Sequence, residues 1–179
     1  MGRFLTAKAR IEQTDYKDYW KTIDNELYED DNGELILTPR FFWTDGYSFP
    51  NFVMAFLGGK NSIDTRPAHG HDICCRFHER IKVTMPLEEL KAKNYLRTHK
   101  NKIICENIPM EYLAVEKVTK NYTDSLLKRM MISCGIPARK ASIIRCGVFF
   151  NINWYLKAGK KSVSEYDIFH EDIDLVNEL

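Results

Sequence analysis

Residues 44–79 read TDGYSFPNFVMAFLGGKNSIDTRPAHGHDICCRFHE, and the reading of this stretch decides how the rest of the chain is arranged. Asp45-Gly46 turns the backbone sharply, Ser48 is a suitable helix N-cap, and Pro50 fits a first helical turn, where no amide donor is needed. Phe49, Phe52, Val53, Phe56 and Leu57 then recur at helical spacing and stop at Gly58-Gly59, which predicts a short core helix over 49–57. After a polar loop, Pro67 opens a second helix expected to reach about Ile81. That helix would carry His71, Cys75 and His78 on one face at i, i+4 and i+7, with Asp72 beside them.

Upstream, residues 3–43 read as β structure, because Tyr19, Trp20, Leu27, Leu35, Ile36, Leu37, Phe41, Phe42 and Trp43 fall in short runs between turn residues. Asp31-Asn32-Gly33 predicts a hairpin, since Asn-Gly accepts the positive φ angles of a type I′ turn. The return strand, 34–38, should end at Pro39 or lie at a sheet edge. Downstream, Pro86 starts a charged helix over 87 to about 99, and 101–107 is a short strand or a connector. A long helical pattern follows from Pro109 to Cys134, with Gly135 as its left-handed cap and Pro137 opening a second arm over 138 to about 156. The expected fold is α+β: a small N-terminal antiparallel sheet, then a helical C-terminal half in which the His-Asp helix packs on a long helical hairpin. One domain would cover 1–159. The acidic tail over 160–179 is either a docked terminal element or a peptide that binds a neighbour.

Composition bounds the function. A 179-residue chain that is 44% hydrophobic can bury a real core without metals or disulfides. Its net charge of +1 lacks the basic footprint of a protein that coats nucleic acid. Five cysteines without a repeated CxxC spacing, and an opening MGRFLTAKAR without the apolar run of a signal peptide, lead us to expect reduced thiols inside a cell. No apolar run reaches the length of a membrane span.

The chemistry centres on His71-Asp72. Adjacent helical side chains point about 100° apart, so the two cannot bond one another but can divide two jobs. The imidazole of His71 would take a proton, and the carboxylate of Asp72 would hold a cation beside it. A general-base imidazole wants a carboxylate on its far nitrogen, and Asp124 is the candidate, being mid-helix with Leu127 and Met131 on its own face. A hard cation such as Ca²⁺ wants several oxygens, which the Asp45-Gly46 turn could help supply. Plainer roles are open to each residue: Asp45 closing a turn, or Asp124 pairing with Lys128 at i+4. A zinc site from His69, His71 and His78 would need the helix to start late, because His69 and His71 diverge if both are helical.

The segments RFFWTDGYSFP and HGHDICCRFHE together resemble a family found mainly in bacteriophages and prophages, whose activity is not established. Thr44, Asp45, Gly46, Ser48 and Pro50 match its turn, His71 and Asp72 its His-Asp pair, and Asp124, Gly135 and Pro137 its later helices, over roughly residues 25–156. This resemblance implies a phage-encoded protein, associated with the virion or tail or binding a host protein. It would be made in the host cytoplasm and would meet other phage or host proteins through the acidic tail, with no nucleic-acid partner and no transmembrane segment. The order of the parts is also similar to that of small calcium-dependent phospholipases with a His-Asp dyad. That similarity implies an ester or lipid hydrolase in which His71 activates water, Asp124 orients the His71 imidazole, and Asp72 with Asp45 binds Ca²⁺. The chain lacks the glycine-rich calcium loop and the disulfide framework of those enzymes.

Overall fold

Short strands open the chain: β1 (Arg3–Phe4), β2 (Ile11–Gln13) and β3 (Trp20–Thr22). The computed structural model describes residues 2–15, 19–44, 64–149 and 162–171. Asp45 and the helix expected over 49–57 lie outside those residues. Strand β4 (Glu26–Glu29) turns through Gly33, at φ +80°, into β5 (Leu35–Thr38), with Glu29 opposite Leu35 and Glu26 opposite Thr38. The hairpin forms where the sequence placed it, but not through a type I′ turn: Gly33 alone of the pair has a positive φ, and its amide donates to the Asp30 carbonyl. After β6 (Trp43–Thr44) come α1 (Arg66–Phe77), with Pro67 in its first turn, and β7 (Glu79–Val83).

Three departures from the sequence reading follow, each with a local cause. Helix α1 stops at Phe77 because His78 takes a left-handed φ of 53°, and the chain leaves as β7 rather than continuing to Ile81. His78 is thus not on the face that carries His71 and Cys75. The charged helix is only α2 (Leu87–Ala92): Asn94 turns left-handed, and β8 (Leu96–His99) pairs with β9 (Lys102–Cys105) across Lys100-Asn101. Those two turn residues have φ of 47° and 64°, the signature of a type I′ turn. Last, the long helix does not begin near Pro109. Leu113–Lys117 form β10 along β7, and α3 (Lys120–Ser133) starts at Thr119, whose hydroxyl accepts from the Tyr122 amide. Gly135, at φ +86°, then leads into α4 (Ala138–Phe149).

The fold is α+β, and its main sheet is antiparallel in the order β1-β4-β5-β7-β10. The N-terminal hairpin is therefore completed by two strands that follow α1 in the chain. A smaller sheet, β2-β3-β6, holds Thr44 at its edge. Alternation along the strands feeds two cores. Leu27, Leu35, Leu37, Ile81 and Val83 pack with Phe42, Ile73, Phe77 and Ile108, whereas Tyr28 and Ile36 pack with Cys74, Leu126 and Met130. A third cluster, built on Leu127, Met131, Ala141 and Ile144, joins α3 to α4.

The described part of the acidic tail, 162–171, is docked. Val163, Ile168 and Phe169 are buried in the main core, Glu79 accepts from Ser162 and from the Val163 amide, and Arg40 donates to the Phe169 carbonyl. The tail is a packing element over this range.

Gly70 leaves room for the Met130 side chain where α1 meets α3. A Cβ at that position would lie 3.0 Å from Met130 Cε and 3.1 Å from its Sδ, so the missing side chain lets the two helices approach. An ion-pair network holds α3 to the sheet from its other side. Arg129 donates to Asp30, and Arg80 bonds Glu34, Glu116 and the Tyr122 hydroxyl. Among the described residues no helix is long and apolar enough to cross a membrane.

Candidate functional site

The close crossing at Gly70 brings the next residue, His71, against Asp124 of α3. His71 Nε2 lies 3.4 Å from Asp124 Oδ1, across 53 residues of sequence. Asp124 is fully buried, and its second oxygen accepts from Lys120 Nζ at 2.8 Å. Lys120 also donates to the Val148 carbonyl near the end of α4, so the acid is fixed from both sides. The plainer pairing of Asp124 with Lys128 does not occur; the partner is the lysine one turn earlier.

The other ring nitrogen faces a different group. His71 Nδ1 is 3.8 Å from Asp72 Oδ1, beyond hydrogen-bond reach, as expected for neighbours on a helix. Asp72 accepts at Oδ2 from the Thr44 hydroxyl, which joins the turn motif of β6 to the His-Asp pair of α1. Side-chain exposure rises outward through the group: none for Asp124, 11% for His71 and 18% for Asp72. Cys75, one turn along α1, places its sulfur 3.4 Å from Nε2 and 3.6 Å from Nδ1. A sulfur almost equidistant from the two nitrogens cannot lie in the ring plane without striking Cε1 between them. It rests over the ring face, as sulfur commonly does against aromatic rings.

Burial alone would push the His71 pKa down. It is outweighed by the electrostatic influence of Cys75, by the bond to Asp124 and by the nearby Asp72 carboxylate, which together hold the pKa well above its usual range. For Asp124, burial would raise the pKa, but the bonds from His71 and Lys120 win and hold it below the usual carboxylate range. The arrangement is an oriented imidazole with a buried ionised acid behind it.

His69 goes elsewhere. Its Nδ1 sits 3.1 Å from both carboxylate oxygens of Glu26 on β4, with each side chain only 1% exposed. Burial pushes its pKa down, but the Glu26 carboxylate more than compensates and raises it. His69, His71 and His78 therefore do not converge, and no three-imidazole site forms.

The cation expected from Asp72 and Asp45 can be tested on the donors. Ca²⁺ takes six to eight oxygens. Asp72 already shares one oxygen with Thr44, Asp45 lies outside the described residues, and no group of three His, Cys, Asp or Glu able to hold a metal occurs among those described. Of the two expected ligands only Asp72 is among the described residues, and its Oδ2 is engaged by Thr44.

Lys120 and Glu26 were missed in the sequence, and Thr44 was read there only as part of the turn motif. The i, i+4 spacing of Lys120 and Asp124 was a usable signal. Nothing local distinguishes Glu26 from any charged residue at the start of a strand. Comparisons with family models, curated proteins and solved structures find no match to this chain.

Proposed function

We propose that this chain is an acyl-ester hydrolase whose proton-transfer pair is His71 and Asp124. One observation carries the reading: the imidazole has a fully buried acid behind Nε2, while Nδ1 is on the more open side of the ring beside Asp72. An acid in that position fixes tautomer and orientation and stabilises the ring when it takes a proton. Nδ1 then receives a proton from the attacking group and returns it to the departing alcohol. A positioned base of this kind is typically worth about 10²- to 10⁴-fold in rate.

The test is turnover of short-chain and longer-chain carboxylic esters by the full chain and by His71→Asn. A folded His71→Asn protein that keeps wild-type turnover, or a wild-type protein without turnover across the ester series, ends this reading.

A second reading keeps the phage-encoded role, as a virion, tail or host-binding protein. It is favoured by the completeness of the internal bonding: both oxygens of Asp124 are engaged, and His69-Glu26 is sealed from solvent. In that case the pairs are locks between sheet and helices, and partners bind elsewhere, including through the part of the acidic tail beyond residue 171. His71→Asn would then lower stability with no activity to lose, and removal of 172–179 would abolish capture of a phage or host protein.

A further inference from the structure

We propose that the nucleophile at this site is the thiol of Cys75, with His71 as its base and Asp124 behind the base. The inference rests on the hydrolase reading and names the group that attacks the ester. Its basis is position. Cys75 is one helical turn from His71, so the α1 backbone fixes the two side chains as neighbours, and the sulfur is within 3.6 Å of both ring nitrogens. Nε2 is committed to Asp124, which leaves Nδ1 for the thiol proton. Thiol, imidazole and buried acid thus stand in the order that nucleophilic acyl transfer uses on unrelated folds.

Burial pushes the thiols of the buried Cys74 and Cys105 and of the partly buried Cys134 each up to about 12. Cys75 alone among the described cysteines rests on an imidazole, and it is only partly buried. In the resting structure the sulfur lies over the ring face. A rotation about the Cys75 Cα–Cβ bond moves it off that face, and catalytic hydrogen bonds are often loose or misaligned before substrate binds.

The step balances without a further reagent. The thiol proton passes first to His71 Nδ1, where the raised pKa of the ring holds it, and the sulfur then bonds to the ester carbonyl carbon. The tetrahedral adduct collapses, the carbon–oxygen bond to the alcohol breaks, and His71 returns the proton to the leaving alkoxide. Water then attacks the thioester and gives a proton to Nδ1. The carbon–sulfur bond breaks, the acid leaves, and the proton returns to the thiolate. The net change is ester plus water to acid plus alcohol.

The experiment is rapid mixing of the full chain with p-nitrophenyl acetate, followed by acid quench and mass mapping of the adduct. A Cys146→Ser background removes the exposed thiol. The expected result is a burst of nitrophenolate with an acetyl group on Cys75. The burst is lost in Cys75→Ser, and its rate falls by at least about 100-fold in His71→Asn. Circular dichroism of each variant controls for folding. Iodoacetamide labelling gives a second readout on the native sequence, with Cys75 expected to label faster than Cys134 and the difference lost in His71→Asn. Turnover retained in folded Cys75→Ser but lost in His71→Asn overturns the thiol and leaves the dyad acting on water. Acetylation confined to other residues also overturns the thiol. Absence of both turnover and adduct overturns the thiol and the hydrolase reading together.

Discussion

Two histidines two residues apart on α1 each meet a carboxylate, and the two pairs have different characters. His69 and Glu26 are each 1% exposed and touch through both carboxylate oxygens, so the pair is a sealed bond between helix and sheet. His71 meets Asp124 through one oxygen at 3.4 Å, is more exposed, and has Cys75 and Asp72 around its remaining surface. The first pair has nothing left to offer a ligand. The second keeps one nitrogen, one thiol and one carboxylate on its outward side. Burial, more than residue type, separates a lock from a candidate site on the same helix.

The harshest way to break this contrast is to remove the acid of the sealed pair. Glu26→Ala leaves the His69 ring without its partner in a dry interior and should cost about 3–5 kcal/mol, read from urea unfolding. His71→Asn should cost only about 1–2 kcal/mol while removing about 10²- to 10⁴-fold of ester turnover. Equal stability losses in the two variants would erase the distinction.

Lys120→Met comes next. It strips the ammonium from a fully buried carboxylate and should destabilise by about 2–3 kcal/mol, with turnover also falling because Asp124 is freed to move. Calorimetry together with ester kinetics checks both parts.

The pairs should also separate by pH. The His69 pKa is raised in the fold, so its contribution is full below the ordinary value of 6.5 and is lost as pH rises through the raised value. That of Asp124 is depressed, so its contribution is present above 3.8 and is lost as pH falls through the lowered value. Glu26→Gln should therefore flatten the alkaline arm of the stability curve alone, whereas Asp124→Asn should flatten the acid arm and, because Asp124 also helps to raise the His71 pKa, part of the alkaline arm. Loss of the acid arm in Glu26→Gln would show that the pairs do not titrate separately.

The smallest effect serves as a control remote from both pairs. Lys82 and Arg80 hold the Glu34 carboxylate down at about 2, so Glu34→Gln should remove about 1 kcal/mol of stability that is otherwise lost between pH 4.5 and about 2. Ester turnover at neutral pH should not change.

Turn chemistry was the most legible part of the fold. Gly33 and Gly135 mark positions where φ is positive, and a preference of that kind acts within two or three residues. Strand against helix was less legible at 79–83 and 113–117. Both segments suit either state, and β7 and β10 exist because they pair with each other along five residue pairs. Lys100-Asn101 was a missed hairpin for a related reason, since neither residue strictly demands the turn that the strand pairing imposes.

By itself the sequence determined the α+β class, the position of the hairpin at Gly33, the start of α1 at its proline, and the choice of His71, Asp72 and Asp124 as the residues to watch. These follow from local backbone preference and from the spacing of apolar residues, which act over a few positions. Only the tertiary structure decided that His71 meets Asp124, that Lys120 rather than Lys128 neutralises the acid, that Thr44 holds Asp72, and that His69 is sealed against Glu26. Each of those contacts except the Lys120 pairing joins residues at least 28 positions apart, and even that pairing depends on which face of α3 is buried. Distance and burial, which set whether a carboxylate is a lock or a partner in proton transfer, exist only once the helices and strands have packed.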